Sequence, residues 1–141
     1  MPDQEQGQQQ AMQQYQQIQQ QLQQVQEFIE QVEDSIEEVT ETVSAAEDLK
    51  DEEVGSEILV PIGSGAFVVG ELKDNENIVT NLGGEAFEKK PVDDAKELLE
   101  ERQEELKETQ SDLEETVQDL QGQMQQIQQQ LQQQRQGQAQ E

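Results

Sequence analysis

The chain has 141 residues, of which 30% are hydrophobic, and it carries a formal net charge of -25, with 33 acidic residues against 8 basic ones. Such acidity repels phosphate backbones, which argues against nucleic acid as a partner. The absence of cysteine and histidine removes disulfides, thiolate metal sites, cysteine nucleophiles and every triad that needs an imidazole.

The first ten residues show no apolar periodicity and read as a frayed tail. From Ala11 onward, Tyr15, Ile18, Leu22, Val25, Ile29, Val32, Ile36, Val39, Val43 and Ala46 follow at alternating steps of four and three. This heptad seam predicts a coiled-coil helix over 11–50. At 1.5 Å per residue it would be roughly 60 Å long.

Between residues 57 and 90 the period changes to two. Glu57–Ile62 runs through Gly63-Ser64-Gly65 into Ala66–Leu72, a hairpin pattern. After the polar turn Lys73–Asn77, Ile78–Leu82, Gly83-Gly84 and Glu85–Lys89 predict a second hairpin. Ile58, Val60 and Ile62 share one face of their strand and Leu59 the other; Phe67 and Val69 alternate with Ala66, Val68 and Leu72. Two hairpins cannot sustain themselves in water, and strands apolar on both faces call for partner strands. The expected subunit-interface residues are Ile58, Val60, Ile62, Phe67, Val68, Val69, Ile78, Val79, Leu82 and Phe87.

Pro91 suits the first turn of a second helix, with Asp93 and Asp94 complementing its dipole. Leu99, Leu106, Leu113, Leu120 and Ile127 recur every seven residues, and Val117, Met124 and Leu131 complete the seam further on. The predicted helix covers 91–134 and leaves 135–141 as a tail. Lys96, Gln103 and Gln110 occupy the other seam position in its first half, which predicts looser packing there, or packing against something besides the first helix.

Moving outward from the middle, each arm is acid-rich first and glutamine-rich last. An antiparallel arrangement sets the two boundaries, near Gln26 and near Gln121, side by side. The fold class expected is therefore α+β: a long antiparallel coiled-coil hairpin with two central β-hairpins that form an oligomeric β-barrel base, all in one domain, 1–141.

The order of helix, two hairpins and helix resembles the prefoldin family, and within it the alpha-class subunit of archaeal type. Glu57–Leu72 is similar to that family's first hairpin, Asn77–Gly84 to its second and Glu88–Pro91 to its run into the last helix; the likeness covers 11–134. Where the family commonly has two aromatics after the second glycine turn, this chain has Ala86-Phe87. The resemblance implies an ATP-independent chaperone with no cofactor. It implies a hexamer of two alpha and four beta subunits, with prefoldin beta subunits as partners. Unfolded client proteins would be held at the coiled-coil tips and passed to a group II chaperonin.

The tip residues expected to meet clients are Met12, Tyr15, Ile18, Met124, Ile127 and Leu131. At coil ends seam residues become accessible, flexible methionines accept many shapes, and the surrounding glutamines carry no charge. The alternative reading is a structural scaffold or tether that oligomerises through the β segment. No phosphate-binding loop follows either glycine pair and no calcium-loop spacing occurs, so an enzyme is not expected.

The start MPDQEQGQQQ has no signal-peptide character, and no apolar run reaches the length of a membrane span. A cytoplasmic protein without membrane contact is the expectation. The crowded carboxylates repel one another unless screened, as at about 1 M salt where the Debye length is roughly 3 Å. That points to a halophilic setting, the alternative being an acidic surface in an ordinary cell.

Overall fold

The structure, a computed structural model, describes residues 2–139. Helix α1 spans Pro2–Asp51, strands β1 Glu57–Gly63 and β2 Ala66–Glu71 form one hairpin, β3 Asn77–Gly83 and β4 Ala86–Pro91 a second, and helix α2 spans Val92–Ala139. The helices extend past the apolar seams, through Pro2–Gln10 and Arg135–Ala139, where frayed tails were expected; Met1, Gln140 and Glu141 lie outside the described residues. Adding a residue to an existing helix is far cheaper than starting one, and glutamine is a fair helix former. Apolar periodicity marks where a helix packs, not where it begins.

Two compact units make up the chain. The inner unit is Ser35–Glu105 and the outer unit takes the remaining parts of both helices.

In the outer unit the two helices run antiparallel along the predicted seam. Ala11, Leu120 and Ile127 are buried, and Tyr15, Ile18, Leu22, Val25, Ile29, Val32, Leu113, Val117, Met124 and Leu131 are half-buried. A two-helix pair has no third neighbour to close its seam, so half-burial is what this geometry allows. Gln110 Nε2 donates to Glu33 Oε1 at 3.1 Å and Gln128 Nε2 to the Tyr15 hydroxyl at 3.2 Å. From Glu33 back to Tyr15, and from Gln110 on to Gln128, the step is eighteen residues on each helix. These polar pairs therefore report one antiparallel register.

In the inner unit the seam continues through Ile36, Val39, Val43 and Ala46, with Leu99 opposite. Lys96 and Gln103 do not loosen it. Lys96 Nζ lies 2.5 Å from Glu47 Oε1, and Gln103 Nε2 donates to Thr40 Oγ1 at 2.6 Å and to the Ile36 carbonyl at 3.4 Å. Each step of seven on one helix is answered by seven on the other. The polar seam residues thus cross-link the helices where looser packing, or another partner, was expected. A long amide or ammonium can lie across a two-helix seam because its edges stay open to water.

Both hairpins end in the same device. β1 and β2 pair from Glu57↔Glu71 to Pro61↔Phe67, then shift so that Gly63 meets Ala66; β3 and β4 pair from Asn77↔Pro91 to Asn81↔Phe87, then shift so that Gly83 meets Ala86. Ile62 and Leu82 are the extra residues at these bulges. The tight loops need positive φ, supplied by Ser64 (50°) and Gly65 (76°) in the first and Gly84 (62°) in the second. Pro91 closes β4 rather than opening α2, since it has no N–H to continue the ladder. The Val92 N–H, left over by the first turn of α2, donates to the Glu76 carbonyl at 2.9 Å.

Candidate interaction surfaces

The first hairpin presents apolar side chains on both sides. Directly paired residues share a face, so Val60 and Val68 lie with Ile58 on one side and Leu59 and Val69 with Phe67 on the other. All six are exposed, from 37% at Ile58 to 62% at Leu59 and Val69, and Ile62 at the bulge is 66% exposed. Gly70, opposite Ile58, keeps that face flat, because a Cβ there would touch the Ile58 and Val60 side chains. A two-stranded ribbon with two uncovered apolar faces lacks the further strands that independent stability in water usually needs.

The second hairpin differs. One side of β3 lies against the inner helices, where Ala45, Ala46, Leu49 and Leu99 line a groove shared with Ile78 and Thr80. Small residues make the approach possible. Ala46 and Thr80 are buried, and near the start of α2 so are Val92 and Ala95. Arg102 donates a guanidinium hydrogen to the Asn81 carbonyl, tying α2 to β3. Ile78 is consequently half-buried within its own chain, whereas Val79, Leu82 and Phe87 remain exposed. The residues expected from sequence at a subunit interface therefore divide into a set exposed on two faces of the first hairpin and a set exposed on one face of the second.

Between the hairpins, Asp74 organises the loop. Its Oδ1 accepts the backbone N–H groups of Glu76 at 2.8 Å and Asn77 at 3.2 Å, its Oδ2 accepts the Asn77 amide at 2.9 Å, and Lys89 Nζ stands 3.2 Å away. The hydrogen bonds from Asn77, Glu76 and Lys89 hold this carboxyl well below the usual carboxylate range. Lys50 pairs with Asp93 across the two helices and lowers the Asp93 pKa, while Lys96 lowers that of Glu47 and is itself raised by it. In so acidic a chain these scarce cations sit where elements meet.

The outer unit holds the expected tip residues. Met12, Tyr15 and Leu131 line one open groove of about 400 Å³ together with Gln16, Gln19 and Gln128. Ile18 and Ile127 form the floor of another, walled by glutamines, with Ile127 buried in the seam. Met124 is half-buried and lines neither. Met12 alone of the six is mostly exposed, at 57%. Sequence reading missed a comparable residue, Phe28, also 57% exposed. It precedes Ile29 of the seam, and an aromatic one position off a heptad line was the available signal.

Among the described residues no group of acidic side chains is placed to hold a metal ion, and no helix is long and apolar enough to cross a membrane. A pair of antiparallel helical segments in each unit, with β-hairpins inserted between α1 and α2, defines a coiled-coil subunit with an exposed strand surface. Residues 18–137 match the prefoldin subunit family, and the chain belongs to that family, whose members are chaperone subunits rather than enzymes. It is 44% identical over 55 residues to prefoldin subunit alpha 1 of Thermococcus kodakarensis, and 40% identical over 57 residues to prefoldin subunit alpha of Methanothrix thermoacetophila. These matches take in 39% and 40% of this chain and 38% and 37% of the two relatives, so under two fifths of each relative is spanned. The fold is similar to that of a filamentous PFD from Methanocaldococcus jannaschii solved by cryo-EM, with a TM-score of 0.73 at 19% identity over 84% of this chain and 95% of the other.

Proposed function

We propose that the chain is the alpha subunit of an ATP-independent chaperone that holds unfolded proteins, working in a salt-rich cytoplasm. The observation that carries the reading is the first hairpin, whose two apolar faces are both uncovered in the single chain. In a prefoldin subunit such a surface is for partner strands. Two alpha chains and four beta-class chains would share a β-barrel base through Ile58, Val60, Val68, Val69, Val79 and Phe87, and the coiled-coil arms would be left for clients. Met12, Tyr15, Ile18, Met124, Ile127 and Leu131 are the proposed tip contacts, and a group II chaperonin is the proposed recipient.

The test is purification at high salt with a co-expressed beta-class subunit, followed by mass measurement and an aggregation assay on a denatured client without ATP. The expected result is a hexamer that slows aggregation. Deleting 1–18 together with 124–141 should preserve assembly and weaken protection. Full protection by the tipless hexamer would move the client surface inward along the arms. A second reading, a scaffold or tether, draws on the filamentous character of the Methanocaldococcus relative. Open-ended assemblies that give no protection at any salt would favour it.

A further inference from the structure

We propose that the four strand edges of this chain are unequal: the edge of β2 is the open ladder to which a partner strand bonds first and most tightly, and the other three are partly closed by the chain's own groups. The ranking rests on the assembly reading above and deepens it, because it names the edge, its guards and the charge of the strand that fits.

The register fixes which backbone groups face outward. In the first hairpin the Leu72 N–H donates to the Ser56 carbonyl at 2.9 Å, which makes Ser56 and Leu72 a bonded pair. Antiparallel pairs alternate, so Ile58↔Gly70 and Val60↔Val68 bond inward. Glu57, Leu59 and Pro61 on β1, and Phe67, Val69 and Glu71 on β2, then aim their free backbone groups away from the hairpin. In the second hairpin the bond from the Val92 N–H to the Glu76 carbonyl sets the phase in the same way. The outward residues there are Asn77, Val79 and Asn81 on β3, and Phe87, Lys89 and Pro91 on β4.

Each outward residue with a free N–H and C=O can exchange two hydrogen bonds with an added antiparallel strand. On β3 two of these residues are already engaged: Asp74 Oδ1 accepts the Asn77 N–H, and Arg102 donates to the Asn81 carbonyl. On β1 and β4 a proline stands at an outward position, Pro61 and Pro91, and has no N–H to give. Lys89 adds a charge to the β4 edge, a common means of discouraging strand addition. On β2, Phe67, Val69 and Glu71 keep every outward donor and acceptor, and among the described residues nothing is bonded to them.

Charge selects the strand that fits. Glu57 and Glu71 lie directly opposite each other, and among the described residues no cation is paired with either. Like charges so placed oppose each other. A strand added to β2 sets a side chain beside Glu71, and a lysine or arginine there relieves the repulsion. β2 itself has no basic residue, and Lys89 and Lys90 of β4 are engaged with Asp74 and Glu88. The occupant is therefore an extended strand of a different subunit, apolar in its middle and basic where it passes Glu71.

The experiment compares Val69→Pro with Leu59→Pro in the full-length chain assembled with the beta-class subunit. These residues are directly paired, share a face and are both 62% exposed, so each substitution removes similar apolar surface and one outward N–H, on opposite edges. Val69→Pro should weaken assembly, measured by sedimentation, roughly tenfold more than Leu59→Pro. Hydrogen exchange on the unsubstituted assembly gives a second reading. The amides of Phe67, Val69 and Glu71, open to solvent in the lone chain, should gain more protection than those of Leu59 and Val79. At the lowest salt at which the parent assembles, Glu71→Lys should weaken assembly, because it would face the partner's cation. Equal losses from the two prolines would overturn the ranking of edges, as would protection at Leu59 or Val79 matching that at Val69. Undiminished assembly of Glu71→Lys would overturn the charge assigned to the occupant. Protection of the β2 amides in the chain alone would give the edge to a second copy and overturn the partner. An assembly in which no strand amide gains protection would remove the assembly reading itself.

Discussion

At the scale of single residues, Val69 and Asp74 carry opposite tasks. Val69 is 62% exposed and paired with Leu59 on an apolar face, so Val69→Asp leaves the lone chain nearly unaffected. In an assembly the same change would bury a charge, costing several kcal/mol unless it is neutralised. Sedimentation should show the oligomer of Val69→Asp falling apart while helical circular dichroism persists; an unchanged mass would exclude burial of this face. Asp74 acts inside the chain. Its depressed pKa means that the folded state favours the ionised form, so its contribution is complete above the ordinary carboxylate pKa of about 4 and is lost as pH falls through the lower folded value. Asp74→Ala should therefore unfold at lower urea than the parent at pH 7, and the gap should narrow below about pH 4. A gap independent of pH would assign the effect to something other than the carboxylate.

At the scale of elements, the seams and hairpins were legible in the sequence because each has its own period and its own punctuation. Every apolar residue from Ala11 to Ala46 on the heptad line is buried or half-buried, and both glycine-bearing turns fall where predicted. What the period could not reveal is pairing between polar residues. Lys96, Gln103 and Gln110 look like seam defects until their partners Glu47, Thr40 and Glu33, themselves seven apart, are seen across from them. Nor could alternation tell which hairpin rests on its own helices, because Ile78 and Val60 are equivalent as strand residues. The difference lies in Ala45, Ala46 and Ala95, small enough to let β3 and the α2 start approach, and helix periodicity alone does not weight small residues. Polar seam residues trade stability for register. Gln103→Leu with Gln110→Leu should stabilise the helix pair by about 1 kcal/mol per site, read as a higher thermal midpoint, and should broaden the distribution of distances between spin labels placed on the two helices. A narrow distribution in the doubly substituted chain would show that the leucine line fixes the register unaided.

For the whole molecule, charge dominates. With acids outnumbering bases 33 to 8, repulsion opposes folding in dilute buffer, and the paired cations Lys50, Lys89 and Lys96 offset it only locally. Helical circular dichroism should rise as potassium chloride increases from about 0.05 M to above 1 M, where exposed charges are screened within roughly 3 Å. Equal helicity and equal mass at both concentrations would remove the case for a salt-rich setting.

The uncovered first hairpin also bears on how such a chain must be made. A lone copy displays Leu59, Val69 and Phe67 on one side of a ribbon and Ile58, Val60 and Val68 on the other, with free strand edges. That is the profile by which proteolysis and aggregation find unfinished proteins. On the function proposed above, a holder of unfolded chains would begin its own life resembling what it holds, so surplus copies would be short-lived and balanced synthesis with partner strands would become a condition of survival.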